Sequence, residues 1–164
     1  MGAAMINIKI LGKNKELFNC VCKSIERYGD RLCRGVSIST VSGAYDELPS
    51  SCIVVFCNDF KGKITAENFL AILSSENRYA IEMLKGSNNI AISCGMSLKD
   101  TLSTASITDD KRMISLQRAI CTVDGELIEP RDFYIKSEYE LYASLAASAV
   151  LLLLGIIPEN GFEL

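Results

Sequence analysis

Apolar and polar positions along the chain change period several times, and each change predicts an element. Met5 to Leu11 alternates and is rich in β-branched residues, which predicts a strand. Asn14 is placed to cap a helix in which Leu17, Phe18, Val21, Ile25 and Tyr28 recur at helical spacing, with Gly29 as its stop. Gly35 to Val41 alternates apolar residues with Ser and Thr, as a half-buried strand does. Cys52 to Cys57 is apolar throughout and predicts a strand covered on both faces. From Thr65, the positions Phe69, Ile72, Leu73, Ala80, Met83 and Leu84 predict a second helix ending at Gly86, with Ser74-Ser75 as a point where it can divide.

Asn89 to Cys94 reads as another short buried strand, followed by a polar loop from Gly95 to about Asp110. Met113 to Val123 and Glu126 to Ile135 read as a hairpin joined at Asp124-Gly125 by a tight type I′ turn, with Pro130 placing the return strand at an edge or bulge. Ser137 to Glu140 reads as a capping box for a last helix that Gly155 and Pro158 close. Strands separated by helices predict one α/β domain over residues 1–164. Its expected architecture is a three-layer, Rossmann-like, mostly parallel sheet with an antiparallel C-terminal hairpin and a long apolar C-terminal helix.

Composition narrows the chemistry. The net charge of −3 argues against a nucleic-acid surface. The chain has no histidine, which removes Ser-His-Asp and Cys-His catalysis, His-ligated zinc and imidazole bases. Acid–base work would fall to Asp59, Asp100, Lys99, a cysteine or a tyrosine. The seven cysteines form no CxxC and mostly lie in apolar runs, which suits reduced, buried thiols in a cytoplasmic protein. Lys9 interrupts the apolar start, so no signal peptide is expected, and Ile6 stands where an N-myristoylation motif wants Ser or Thr. The uncharged stretch from Leu141 to Ile157 is shorter than the about 20 residues a membrane span needs and includes Ser144, Ser148 and Gly155. It reads instead as a core helix or as a homo-oligomer interface.

Ligands of open α/β sheets bind outside the carboxyl ends of the strands, and that rule selects positions here. Asn58 and Asp59 follow one apolar strand; Gly95, Ser97, Lys99, Asp100 and Thr101 follow another. Gly95 permits close backbone approach, and Ser97, Thr101, Ser103 and free backbone N–H groups can cradle a small anion. Lys99 would add charge, and Asp100 can orient a hydroxyl or a metal. The competing reading is a turn whose Ser, Thr and Asp satisfy their own backbone.

Arg118 shares a strand face with Ile114, Leu116 and Ile120. It therefore needs an anionic ligand, an exit to solvent, or a carboxylate such as Asp59, Asp100 or Glu129. Asp109-Asp110 reads as a solvated turn. No phosphate-loop or dinucleotide motif is present, and no metal site or cofactor is assigned.

Three functions remain open. The first is a domain, catalytic or not, binding a small anionic ligand at Asn58, Asp59, Gly95, Ser97, Lys99, Asp100, Thr101 and Arg118. The second is an assembly or regulatory subunit that oligomerises through its apolar C-terminal helix. The third is thiol chemistry at Cys94, which requires a cation such as Lys99 or a helix N-terminus nearby.

Overall fold

The computed structural model describes residues 4–41, 52–64, 68–107 and 111–164. In chain order the elements are β1 (Ile6–Leu11), α1 (Lys15–Tyr28), a 3-10 turn (Gly29–Arg31), β2 (Val36–Val41), β3 (Ile53–Phe56), β4 (Leu70–Ser74), α2 (Arg78–Leu84) and β5 (Ile90–Gly95). They continue with β6 (Leu102–Ile107), β7 (Arg112–Leu116), β8 (Ile120–Cys121), β9 (Leu127–Ile128), β10 (Arg131–Lys136), α3 (Leu141–Leu153) and β11 (Gly161–Glu163). The strands form a nine-stranded sheet in the order β11-β10-β7-β6-β5-β4-β3-β1-β2, with β8-β9 as a separate antiparallel ribbon. From β2 across to β6 every pairing is parallel, and β7 alone runs against its neighbours. The class is therefore α/β, as the pattern predicted, with helices on both faces of a mostly parallel sheet.

Alternation along the strands builds the layers. Ile6, Ile8 and Ile10 of β1, Ile53 and Val55 of β3, and Ile72 of β4 point to one face, under α1 and α3. Leu11, Val54, Phe56, Ala71 and Leu73 point to the other, where α2, Phe60 and Phe69 cover them. Strand β3 is buried on both faces because it is central, which is why its sequence is a continuous apolar run.

The charge-free C-terminal helix is core. Every residue of α3 from Ala143 to Leu153 is buried against α1 and the sheet. A helix apolar on all sides needs such cover. Its two serines are satisfied internally: Ser148 Oγ donates to the Ser144 carbonyl at 2.8 Å, and Ser144 Oγ accepts from Arg112. Tyr142 adds a hydroxyl that donates to the Phe56 carbonyl at 2.6 Å, tying α3 to β3. The charge-free run from Ala143 to Leu153 is thus covered within one chain. Among the described residues no helix is long and apolar enough to cross a membrane.

Five local expectations are corrected. Leu70 to Ser74 is a strand, not part of a helix, and only Arg78–Leu84 is helical behind Asn77, whose side chain accepts from the Ala80 N–H. A short apolar run fits a buried strand as well as a helix, and pairing with β3 and β5 decides the matter. The expected helix start at Thr65 lies outside the described residues, as do Asp109-Asp110. The polar loop after Gly95 is shorter than expected, because Leu102–Ile107 pairs with β5 and β7.

The long hairpin is divided into β7-β10 and the small ribbon β8-β9, separated around Arg118 and Pro130. Its tip is not type I′, which needs positive φ at both central residues. Gly125 has φ +85° but Asp124 does not, and Gly125 N–H donates back to the Thr122 carbonyl. Finally, Ser137 does not cap α3: its Oγ accepts from Tyr139 N–H and pairs with Ser144 Oγ, and the helix starts at Leu141 with no side-chain cap. The far end closes as read, with Gly155 at φ +86° and its N–H on Leu152 while Ile156 N–H reaches Leu151.

Candidate functional site

Parallel strands bring their carboxyl ends to one edge. Strand order reverses at β1, since β2 lies on one side of it and β3 on the other. The crevice at such a reversal is where doubly wound sheets receive ligands. Here it is flanked by Gly12 and Lys13 after β1 and by Asn58 and Asp59 after β3. The Ser75–Asn77 turn after β4 and the Gly95–Thr101 loop after β5 continue the edge.

At the β1 corner Gly12 has φ +124°, a conformation that favours glycine. A Cβ there would stand 2.5 Å from both Asp59 Oδ1 and Cys57 Cβ. Asp59 Oδ2 accepts from the Lys13 N–H at 3.2 Å, so this exposed carboxylate ties the β1 and β3 loops together. Asn58 is exposed beside it.

The β5 corner uses the same parts in a buried setting. A Cβ on Gly95 would stand 2.5 Å from Asp100 Oδ2 and 2.6 Å from Ser75 Oγ. Asp100 is only 2% exposed, and its Oδ2 accepts from Ser97 N–H at 3.0 Å. Ser97 Oγ accepts from Lys99 N–H, and the Thr101 N–H reaches back to Ser93 Oγ. Ser103 is buried and accepts from the Gln117 side chain at 2.8 Å. The loop is therefore braced by its own polar groups: the Asp100 carboxylate takes the Ser97 N–H, and serine hydroxyls take the Lys99 and Thr101 N–H groups, all backbone donors that were expected to meet a ligand.

Arg118 does reach this loop, by a different route from the one predicted. Strand β7 stops at Leu116, and Arg118 is exposed, with its Nη2 donating to the Lys99 carbonyl at 2.7 Å. Its partner is a backbone oxygen and not Asp59, Asp100 or Glu129. Lys99, Arg118 and the more distant Lys13 form no ion pair among the described residues, where the ion pairs are Arg27–Glu163, Arg34–Asp124 and Lys85–Glu82.

The predicted residues thus fall into two groups. Gly95 to Thr101 and Arg118 are joined by hydrogen bonds; Asn58 and Asp59 sit with Gly12 and Lys13 two strand spacings away, about 10 Å. Between them stand Ser75 and Asn77, which the sequence reading missed because they were absorbed into a helix. Asn77 is buried, and its Nδ2 donates to the Cys57 carbonyl at 3.4 Å. Its position before an apolar helical repeat was the signal that could have found it.

All seven cysteines are free thiols. Burial first, and then the Asp100 charge, push the Cys94 thiol far up. Neither Lys99 nor a helix N-terminus offsets this, so the surroundings of Cys94 oppose a thiolate. Burial also raises Cys57, to about 11, and Cys20, to about 12. Among the described residues no group of three His, Cys, Asp or Glu side chains is arranged to hold a metal ion. A groove of about 1400 Å³ lies away from this edge, on the α1 face, and shares none of its residues.

Fold and edge together define a doubly wound α/β protein whose candidate site is the carboxyl edge between the β1–β3 crevice and the β5–β6 loop. No family model matches the chain, and comparison with curated proteins gives no match.

Proposed function

We propose that this chain is a cytoplasmic ligand-binding domain that takes a small anion at the carboxyl edge of its sheet, on Lys99 and Arg118. The observation that carries this reading is the charge balance of the β5–β6 corner. Its one buried acid, Asp100, is held by the Ser97 backbone N–H, while the side chains of Lys99 and Arg118 meet no carboxylate among the described residues. The anion sits outside the Asp100 brace, and the rest of the ligand extends over Gly95 and Ser75 toward Asn58. The same loop exposes Met96 (70%) and Leu98 (81%), which gives an apolar ligand body a surface to lie on. Two cations that pair with no carboxylate among the described residues favour phosphate over a singly charged carboxylate. The seven free thiols are consistent with a reducing compartment.

A thermal-shift series with inorganic phosphate, nucleotides and sugar phosphates tests the reading. A ligand at 100 times its dissociation constant adds about 2.7 kcal/mol, which raises Tm by roughly 5–10 °C in a chain of this size. The shift is expected to vanish in K99A/R118A. Equal shifts in the wild type and the variant would reject the site.

A further inference from the structure

Arg112 is a cation that the fold places on the wrong side of the sheet for a surface residue. It opens β7 opposite Ile135 and shares a face with Ile114 and Leu116, both buried beneath the helices. There it lines the groove of about 1400 Å³ together with Lys23 of α1, Lys136 of β10, and Ser137 and Tyr139 before α3. Its Nη1 donates to Ser144 Oγ at 3.3 Å, and Ser144 is fully buried. Ser144 Oγ is in turn 2.8 Å from Ser137 Oγ, so the guanidinium rests on a fixed hydroxyl pair.

That contact uses one of five N–H donors. Arg112 is half-buried and forms no ion pair among the described residues. Its hydrogen bond is to a neutral hydroxyl, and none of the glutamates that line the groove pairs with it, so an anion within reach of its other donors would be favourable. Two of the nearby acids are already committed: Glu16 Oε1 accepts from Glu140 N–H at 2.8 Å, and Glu163 pairs with Arg27 at 2.6 Å. Lys23 stands 6.0 Å from the Tyr139 ring centroid. The groove also lies beside the start of α3, where the Glu16 carboxylate already accepts from the Glu140 N–H.

We infer that this groove is a second binding site, distinct from the sheet edge, in which Arg112 takes the carboxylate of a small organic acid. A carboxylate matches the planar guanidinium with two parallel hydrogen bonds. The exposed Glu26 and Glu138 also line the groove and oppose a more highly charged group. The selectivity is therefore the reverse of that proposed for Lys99 and Arg118.

The test is an NMR titration of the intact chain with succinate and, separately, inorganic phosphate. Succinate is expected to shift the Arg112 side-chain Nε–H and the Ser137 and Tyr139 amides, and to bind more tightly than phosphate at these signals. R112Q should weaken succinate about tenfold or more, with R112K retaining part of the affinity. K99A/R118A should leave the groove signals unchanged, so failure of the edge site does not decide this one. Mapping on the wild-type chain keeps the test valid if R112Q folds poorly. The inference is overturned if succinate leaves the groove signals unmoved, if phosphate binds there more tightly, or if a folded R112Q binds as the wild type does.

Discussion

At the end of β1 and again at the end of β5, a glycine lies under a carboxylate that also accepts a backbone N–H. The parts are the same, but the surroundings differ. Asp59 reaches across from the β3 loop, is exposed, and meets Lys13 N–H at 3.2 Å. Asp100 reaches back within its own loop, is 2% exposed, and meets Ser97 N–H at 3.0 Å. Water can replace Asp59 as a partner of Lys13; it cannot easily replace Asp100. The β1 corner is thus fixed mainly by its glycine and the core behind it, and the β5 corner by its carboxylate. A loop braced from within can hold Lys99 and Arg118 outward without a ligand present.

Substitutions separate the two corners. G12A should be the most damaging, because it combines a positive φ with a contact to Cys57 Cβ that cannot move out of the core. Strained backbone and overpacking each cost about 1–3 kcal/mol, so Tm should fall by roughly 10 °C in a calorimetric scan. D59A should not rescue it, since the Cys57 contact remains. D100A should cost about 1–2 kcal/mol by removing the carboxylate that the Ser97 N–H donates to, visible as a lower urea midpoint and faster amide exchange over residues 95–101. Rescue of G12A by D59A, or a D100A chain as stable as the wild type, would break the comparison.

Alkaline pH probes the thiols beneath both corners. Cys57 behind Gly12 is raised from the ordinary 9.0 to about 11, Cys20 on the buried face of α1 to about 12, and Cys94 and Tyr142 are raised as well, all mainly by burial. In the window above about 9 the unfolded chain releases these protons while the folded chain keeps them, so stability falls as pH rises. Thermal midpoints should be level up to pH 8.5 in this respect and decline from there to pH 11. A flat profile across that range would show that these groups are not buried as described. The smallest effect is expected from D59A alone, about 0.5–1 kcal/mol in chemical denaturation.

Much of this fold was legible because strong periods left little choice. The alternation in Ile6–Leu11, the helical stripe behind Asn14 and the apolar run of β3 each translate into one element. Legibility failed where long-range pairing decides. Leu70–Ser74 has no period of its own that excludes a helix, and it is a strand only because β3 and β5 stand on either side. Ser137 has the sequence of a cap, but Ser144 claims its hydroxyl. At the candidate site, the strand-end rule gathered Asn58, Asp59 and Gly95 to Thr101 along one edge of the sheet, but the partner of Arg118, left open between a carboxylate, a ligand and solvent, is the Lys99 carbonyl. The rule did not reveal that Asp100 would take the Ser97 N–H, because that depends on how tightly the turn closes over Gly95. The groove around Arg112 was invisible, since its lining comes from α1, β7, β10 and the C-terminal strand and has no local pattern.

The central claim is that the braced β5–β6 corner presents Lys99 and Arg118 to an anion. Two-dimensional amide NMR of the wild-type chain titrated with inorganic phosphate tests it most directly. Saturable shifts at Gly95 to Thr101 and at the Arg118 Nε–H, absent in K99A/R118A, are the predicted result. Phosphate shifts confined to other regions, or none at these residues, would contradict it.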